Sequence, residues 1–173
     1  MASHPSSTYR SLFVTGLQNA HAVENQALAL IDRQLDRLVR YPEVAERLRL
    51  HRRETEVQIG RLDEILSGLR ERHSSLKDMA MNFMGNFAAL SNVMAADEIL
   101  KNSFVNFAFE NFEIASYRSL IALAEAGGFG AAAPLLEATL AEEQAMAAWI
   151  EQSLPDLTLK YAALRQGGRV ASH

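Results

Sequence analysis

The chain has 173 residues, of which 49% are hydrophobic and 22% charged, and it carries no cysteine. This length and composition are those of one globular domain with a sizeable core. The lack of cysteine excludes disulfides, thiolate zinc sites, iron–sulfur clusters and cysteine nucleophiles. The net charge of −4 argues against nucleic acid as a partner.

Two segments indicate in which cellular compartment the protein is expected. Residues 1–11 are polar and lead into no apolar core, so no signal peptide is visible. The uncharged segment Met79–Ala96 is at the lower limit of length for a membrane span. It also contains polar residues such as Asn82, Asn86 and Asn92, which hydrocarbon would penalise. We therefore expect a cytoplasmic protein with no membrane partner.

The apolar pattern is helical almost throughout, and no alternating β-branched run predicts a strand. A first helix is expected from about Thr8 to Arg40, where Tyr41-Pro42 ends it. A second helix follows from Pro42 to about Arg70, because proline suits the first turn of a helix. A shorter helix is expected over about Leu76–Met94.

The second half of the chain repeats this arrangement. A third helix is expected from about Asp97 to Ala126, where the glycine-rich segment 127–130 stops it. A fourth helix should start near Pro134 and end before Pro155, with one short turn over residues 159–164.

Two tight helix hairpins joined by a long connection are typical of ferritin-like bundles. We therefore expect an all-α, ferritin-like four-helix bundle whose crossover carries an extra helix. Residues 1–173 should form this single domain, with frayed ends at about 1–8 and 167–173.

Carboxylates interrupt two apolar helical stripes, which is unusual because a lone buried carboxylate costs several kcal/mol. Glu24 lies between Leu17 and Leu28 in the first stripe, and Glu143 lies between Leu140 and Ile150 in the last. Each of these glutamates therefore needs a partner, and a metal ion is the obvious kind.

The carboxylates of all four long helices lie at similar heights. With the first turn near residue 41, Glu24 lies 17 residues before it and Glu54 13 residues after it. With the second turn near residue 129, Glu113 lies 16 residues before it and Glu143 14 after it. At a rise of about 1.5 Å per residue, each pair is level to within roughly one turn.

Such an arrangement predicts a site for two divalent metal ions. A carboxylate-rich, histidine-poor site favours hard ions, so we expect iron or manganese. Val57 and Met146 stand where the usual Glu-x-x-His motif has histidine. On the second helix His51 and Gln58 lie closer to the centre of the apolar face than Glu54. His51 is more readily a hydrogen-bonding residue behind the ligands than a ligand, and Glu54 could instead be a solvated surface charge.

The chain resembles the YciE/YciF-type ferritin-like proteins of bacteria over about residues 12–166. The resemblance is carried by the segments 19–28, 51–62, 97–102, 109–117 and 140–146. It implies a dimer with a rubrerythrin-like two-metal site and an association with stress responses. The implied ligands are Glu24, Glu54, Glu110 or Glu113, and Glu142 or Glu143. Many members carry an acidic residue where this chain has Ala147, so one ion would have fewer ligands here.

Two functions are consistent with these patterns. The first is a di-iron or di-manganese protein that reacts with oxygen or peroxide, with Tyr117 as a nearby redox-active or hydrogen-bonding group. The second is a structural or adaptor bundle that acts through a dimer or partner interface, for which the uncharged segment Met79–Ala96 is the candidate surface. Whether the protein is an enzyme stays open at this point.

Overall fold

The computed structural model describes residues 7–72, 98–169 and 171. The expected crossover helix and the segment Met79–Ala96 lie outside these ranges. The described residues form four long helices and contain no strand. The helices are α1 (Ser7–Leu35), α2 (Pro42–Gly68), α3 (Glu98–Gly127) and α4 (Ala133–Gln166), and a 3-10 turn at Gly130–Ala132 leads into α4. None of the described helices is long and apolar enough to cross a membrane.

Contacts between α1 and α2 show that these helices are antiparallel. Arg52 of α2 donates to Asp32 near the end of α1 at 2.6 Å. At the opposite end, Arg10 of α1 donates to Glu71, just beyond α2, at 2.8 Å. The first hairpin therefore has the geometry that its short connection predicts.

Contacts between α1 and α3 establish the ferritin-like connectivity. Gln34 and Asn106 exchange two side-chain hydrogen bonds of 2.9 Å. Tyr117 donates to Glu24, which lies nearly three turns nearer the start of α1 than Gln34. α3 therefore runs antiparallel to α1 and parallel to α2. Because α2 and α3 are parallel, residues 72 and 98 lie at opposite ends of the bundle. This confirms the predicted four-helix bundle of two hairpins joined by a long crossover.

The first helix ends at Leu35, so the expected end at Arg40 is wrong. The chain leaves the helix early because Tyr41 turns into the core, where it is fully buried beside Ile31. The Tyr41 hydroxyl donates to the carbonyl oxygen of Ala171 at 2.7 Å. One residue of the expected frayed C-terminal end is therefore held against the bundle.

The last helix continues through Pro155 to Gln166, so its expected end before Pro155 and the separate turn over 159–164 are both wrong. A proline inside a helix costs about 3 kcal/mol, because it lacks an N–H and its ring crowds the preceding turn. The carbonyl that loses its partner belongs to Glu151, which is exposed and can bind water. Beyond the proline, Leu157 is buried in the core, and this packing offsets the cost.

The bundle core consists of two apolar clusters at different heights. One lies toward the start of α1 and includes Phe13, Leu62 and Leu120. The other lies toward the end of α1 and includes Ile31 and Met146. Between these heights the four helices bury a band of polar side chains, and this band is the candidate site.

Candidate metal centre

The polar band draws on every long helix. Each of its members has at most 4% of its surface exposed. The members are Glu24 of α1, His51 and Gln58 of α2, Glu110, Glu113 and Tyr117 of α3, and Glu143 of α4. Each faces inward because its helix presents an apolar stripe to the core and the polar residue occupies one position of that stripe.

His51 forms the centre of the most compact group. Its Nε2 atom lies 3.3 Å from Oε2 of Glu110 and 3.7 Å from Oε2 of Glu143. The three potential ligand atoms all lie within 4.8 Å of one another. One imidazole and two carboxylates at this spacing could bind a metal ion.

The other ring nitrogen of His51 is engaged outside this group. Nδ1 lies 3.0 Å from Oε2 of Glu54, and the same oxygen accepts a hydrogen bond of 3.0 Å from Arg47. The Glu54 side chain is 22% exposed, so it lies at the edge of the band. Glu54 is therefore placed to orient the imidazole, with Nε2 directed at Glu110 and Glu143.

Glu24 and Tyr117 form a second, adjacent part of the band. The Tyr117 hydroxyl donates to Oε1 of Glu24 at 2.5 Å. Oε2 of Glu24 is buried and accepts no hydrogen bond. The hydroxyl thus occupies one carboxylate oxygen and leaves the other available for a ligand.

Six carboxylate oxygens in the band are buried and make no hydrogen bond, although two of them lie within ion-pair distance of His51. They are Oε2 of Glu24, Oε2 of Glu110, and both oxygens of Glu113 and of Glu143. Native proteins leave few buried polar atoms unpaired, because each costs about 1–3 kcal/mol and more if it is charged. Six in one place are what a site built for cations would show, so these residues fit metal ions.

The electrostatics of the band agree with this interpretation. Burial raises the pKa of Glu24 to about 8, against the hydrogen bond from Tyr117, which lowers it. Burial and the neighbouring carboxylates also raise the pKa of Glu113 and of Glu143 well above the ordinary value. These shifts arise because a dry interior disfavours the charged form of each carboxyl group and, to a smaller extent, because the carboxylates repel one another.

The pKa of His51 shifts in the direction that its carboxylate partners favour. Burial alone would lower the pKa of His51, but the carboxylates of Glu110 and Glu54 outweigh it and raise the pKa to about 9. The hydrogen bond with His51 in turn lowers the pKa of Glu54. Without metal, His51 is therefore a cation at neutral pH, and a bound ion would have to displace its proton.

Glu142 lies apart from the buried carboxylates. Arg61 donates to both of its oxygens, at 2.6 and 2.8 Å, and Gln58 donates to Oε2 at 3.0 Å. The Glu142 side chain is 26% exposed. Of the adjacent pair, Glu143 enters the band and Glu142 forms an ion pair at its edge.

The structure thus gathers most of the predicted site residues. Glu24, Glu110, Glu113 and Glu143 meet in the band, with Gln58 and Tyr117 beside them, while Glu54 and Glu142 lie at its edge. The sequence favours His51 as a residue behind the ligands, whereas the structure includes it with Glu110 and Glu143 in a group that could bind a metal ion. The signal was its position at the centre of the apolar face of α2, but spacing along one helix does not show which side chains of other helices it meets.

The chain is similar to known proteins over most of its length. Residues 8–163 match the family model described as a domain of unknown function, DUF892. The curated protein YciF of Escherichia coli K12 is 29% identical over 146 residues, which cover 80% of this chain and 85% of that protein.

Solved structures share the fold over nearly the whole chain. A protein from Xanthomonas campestris superposes with a TM-score of 0.80 at 28% identity, covering 92% of this chain and 99% of that one. The structure described as the E. coli stress protein YciF gives a TM-score of 0.74 at 25% identity, covering 87% and 96% of the two chains.

Proposed function

The chain belongs to the DUF892 family, and we propose that it is a ferritin-like protein that holds two iron or manganese ions and acts on a small oxidant. The oxidant would be oxygen or peroxide. A role in stress is part of the proposal, supported by the similarity to a solved structure described as a stress protein. The proposal concerns the interior of the bundle and not its surface.

The observation that carries the proposal is the group of six unpaired carboxylate oxygens around His51. Four buried glutamates contribute up to four negative charges, and within the described band His51 is the only buried cation. Two divalent ions bring four positive charges and would neutralise the four carboxylates. Protons on some of the carboxyl groups would also reduce the repulsion in the metal-free protein, and bound ions would displace those protons.

The donor set determines which ion is expected. Nε2 of His51, Glu110 and Glu143 would hold one ion, and Glu24 and Glu113 would provide oxygens for the other. A ligand set of mostly oxygen atoms with one nitrogen favours iron or manganese over copper or zinc. When bound, two such ions supply redox and Lewis-acid chemistry to a small oxidant.

The protein's own residues would prepare the site. The Tyr117 hydroxyl would donate a hydrogen bond to Oε1 of Glu24 and leave Oε2 available. Glu54 orients the His51 ring through Nδ1. The apolar clusters on both sides of the band exclude water, which strengthens each electrostatic interaction within it.

Metal analysis tests the proposal. Protein purified without chelator, then titrated with Fe²⁺ or Mn²⁺, is expected to bind about two ions per chain. Glu24→Ala should abolish or strongly weaken this binding, whereas Glu137→Ala, at an exposed position of α4, should leave it unchanged. The iron-loaded protein should also consume peroxide faster than the Glu24→Ala variant. Wild-type protein that binds no more metal than Glu24→Ala would contradict the proposal.

We also propose a homodimer, in which α3 provides an apolar contact. Phe104 and Phe112 are 54% and 43% exposed, and they lie eight residues apart on one outer face of α3 with exposed Ala108 between them. Exposed aromatic residues at helical spacing are typical of a contact surface. This surface could equally serve the structural or adaptor function that the composition left open.

A further inference from the structure

Gln58 is a buried amide that is only half paired. It is fully buried and lies seven residues after His51, on the same face of α2. Its Nε2 donates to Oε2 of Glu142 at 3.0 Å, whereas its Oε1 is buried and accepts no hydrogen bond. A buried amide oxygen without a donor is unfavourable unless something else binds it.

The orientation of this amide follows from its neighbours. Arg61 donates to both oxygens of Glu142, so Glu142 is a carboxylate there and can only accept hydrogen bonds. The NH₂ group of Gln58 must therefore face Glu142. A flipped amide would place two acceptor oxygens together. Oε1 is consequently turned away from Glu142.

A second buried oxygen without a hydrogen bond lies on α1, the helix that is paired with α2. The ion pairs Arg52–Asp32 and His21–Asp63 join the antiparallel helices α1 and α2. In this register Glu24 and Gln58 are buried at nearly the same height. Oε2 of Glu24 is itself buried without a donor. Two buried oxygens on neighbouring helices that make no hydrogen bond are an arrangement that a cation stabilises.

We propose that Oε1 of Gln58 is a neutral oxygen ligand for the metal ion on the Glu24 side of the site. Arg61 and Glu142 position it by holding its NH₂ group. This inference rests on the proposed function and adds to it a difference between the two ions. One ion has the imidazole of His51, and the other has the amide of Gln58. Ala147, one turn after Glu143 and buried, provides no donor atom, so α2 contributes the additional oxygen.

Substitutions of Gln58 test this assignment through metal affinity and thermal stability, neither of which requires turnover. In Mn²⁺ titrations the wild type should bind two ions. Gln58→Leu, of similar volume, should weaken the second ion about tenfold or more and leave the first nearly unchanged. Gln58→Glu should bind the second ion at least as tightly as the wild type. Gln26→Leu is the matched control, because the Gln26 amide is also buried without a partner but lies two residues from Glu24, on a different face of α1.

The metal-free proteins provide a second measurement that distinguishes a ligand from a merely structural residue. Gln58→Leu should raise or preserve the melting temperature without metal, since it removes an unpaired oxygen, yet it should reduce the rise that Mn²⁺ produces. Gln58→Glu should lower the melting temperature without metal and increase the rise. A loss of stability in Gln58→Leu with and without metal alike would overturn the assignment.

The positioning pair is tested by a double-mutant cycle. Glu142→Ala should weaken the second ion in the wild-type background and have little further effect in Gln58→Leu. Equal effects in both backgrounds would overturn the positioning role. If the wild type binds two ions and Gln58→Leu also binds both normally, the Gln58 assignment fails and the metal proposal stands. If the wild type binds no metal, both the metal proposal and the Gln58 assignment fail.

Discussion

His51 and Glu54 lie one turn apart on α2, and Nδ1 of the imidazole lies 3.0 Å from Oε2 of the carboxylate. This contact determines which ring nitrogen faces the interior. It also places Glu54 behind the imidazole at the edge of the band, although the family resemblance implies that it is a ligand. The two roles lead to different mutational effects.

Glu54→Ala should weaken metal binding without abolishing it. Removing a carboxylate that orients a histidine ligand typically costs 10- to 100-fold in metal affinity, whereas His51→Ala should cost more. Isothermal titration with Fe²⁺ or Mn²⁺ measures both. Glu56→Ala, on the exposed face of the same helix, is the control. A Glu54→Ala effect as large as that of Glu24→Ala would restore Glu54 as a direct ligand.

Glu113→Gln should have opposite effects with and without metal. Both oxygens of Glu113 are buried and unpaired, so the near-isosteric amide removes a buried charge. We expect the metal-free variant to be more stable by about 1 kcal/mol or more at a pH high enough to ionise Glu113 in the wild type, and its metal affinity to fall. Chemical denaturation in chelator and metal titration are the two measurements. A Glu113→Gln variant that is destabilised without metal and still binds two ions would refute the ligand role.

The stability of the metal-free protein should fall as pH rises from about 5 to 9. Burial raises the pKa of Glu24 to about 8, and the neighbouring carboxylates raise that of His51 to about 9 against the effect of burial. At intermediate pH the folded chain therefore holds protons that the unfolded chain has released. The free energy of unfolding then decreases with pH.

Bound metal should reverse or flatten this trend, because the ions replace those protons and bind more tightly as pH rises. Melting temperatures measured across this range, with chelator and with Mn²⁺, provide the comparison. Metal-free protein that gains stability between pH 6 and 8 would show that the buried carboxyl groups are not protonated in the fold.

Pro155→Ala should stabilise the protein. The helix continues through this residue, and alanine restores an N–H that can donate to the carbonyl of Glu151. The expected gain is about 1 to 3 kcal/mol, reduced somewhat by the greater freedom of the unfolded chain. Chemical denaturation measures it, with Ala162→Pro in the last turns of the same helix as the reverse change. A less stable Pro155→Ala variant would mean that the proline ring makes packing contacts that outweigh the hydrogen bond.

Phe104→Glu combined with Phe112→Glu should dissociate the proposed dimer and leave metal content unchanged. Both side chains are exposed on α3 and do not belong to the polar band, so the added charges should spare the metal site. Sedimentation or light scattering gives the mass. Leu159→Glu, an exposed leucine on α4, should not change it. A monomeric wild type would remove the basis for this interface.

The connectivity of the bundle could be predicted from the sequence because it depends on local signals. Pro42 begins α2 as predicted, and the glycine-rich segment before Pro134 separates α3 from α4. The ends of α1 and α4 were predicted wrongly, at Arg40 and before Pro155. Packing of Tyr41 and of Leu157 against distant residues overrides the local preference there.

The sequence by itself determined that four helices each carry a carboxylate at a similar height, because the rise per residue and the positions of the turns fix height along a bundle. Only the tertiary structure decided which way each side chain turns at that height. Small rotations of α2 and α4 place His51 and Glu143 inside and Glu54 and Glu142 at the edge. Such rotations depend on how ridges of side chains on neighbouring helices interdigitate. This packing is a property of a pair of helices, so it cannot be predicted from the apolar stripe of one helix.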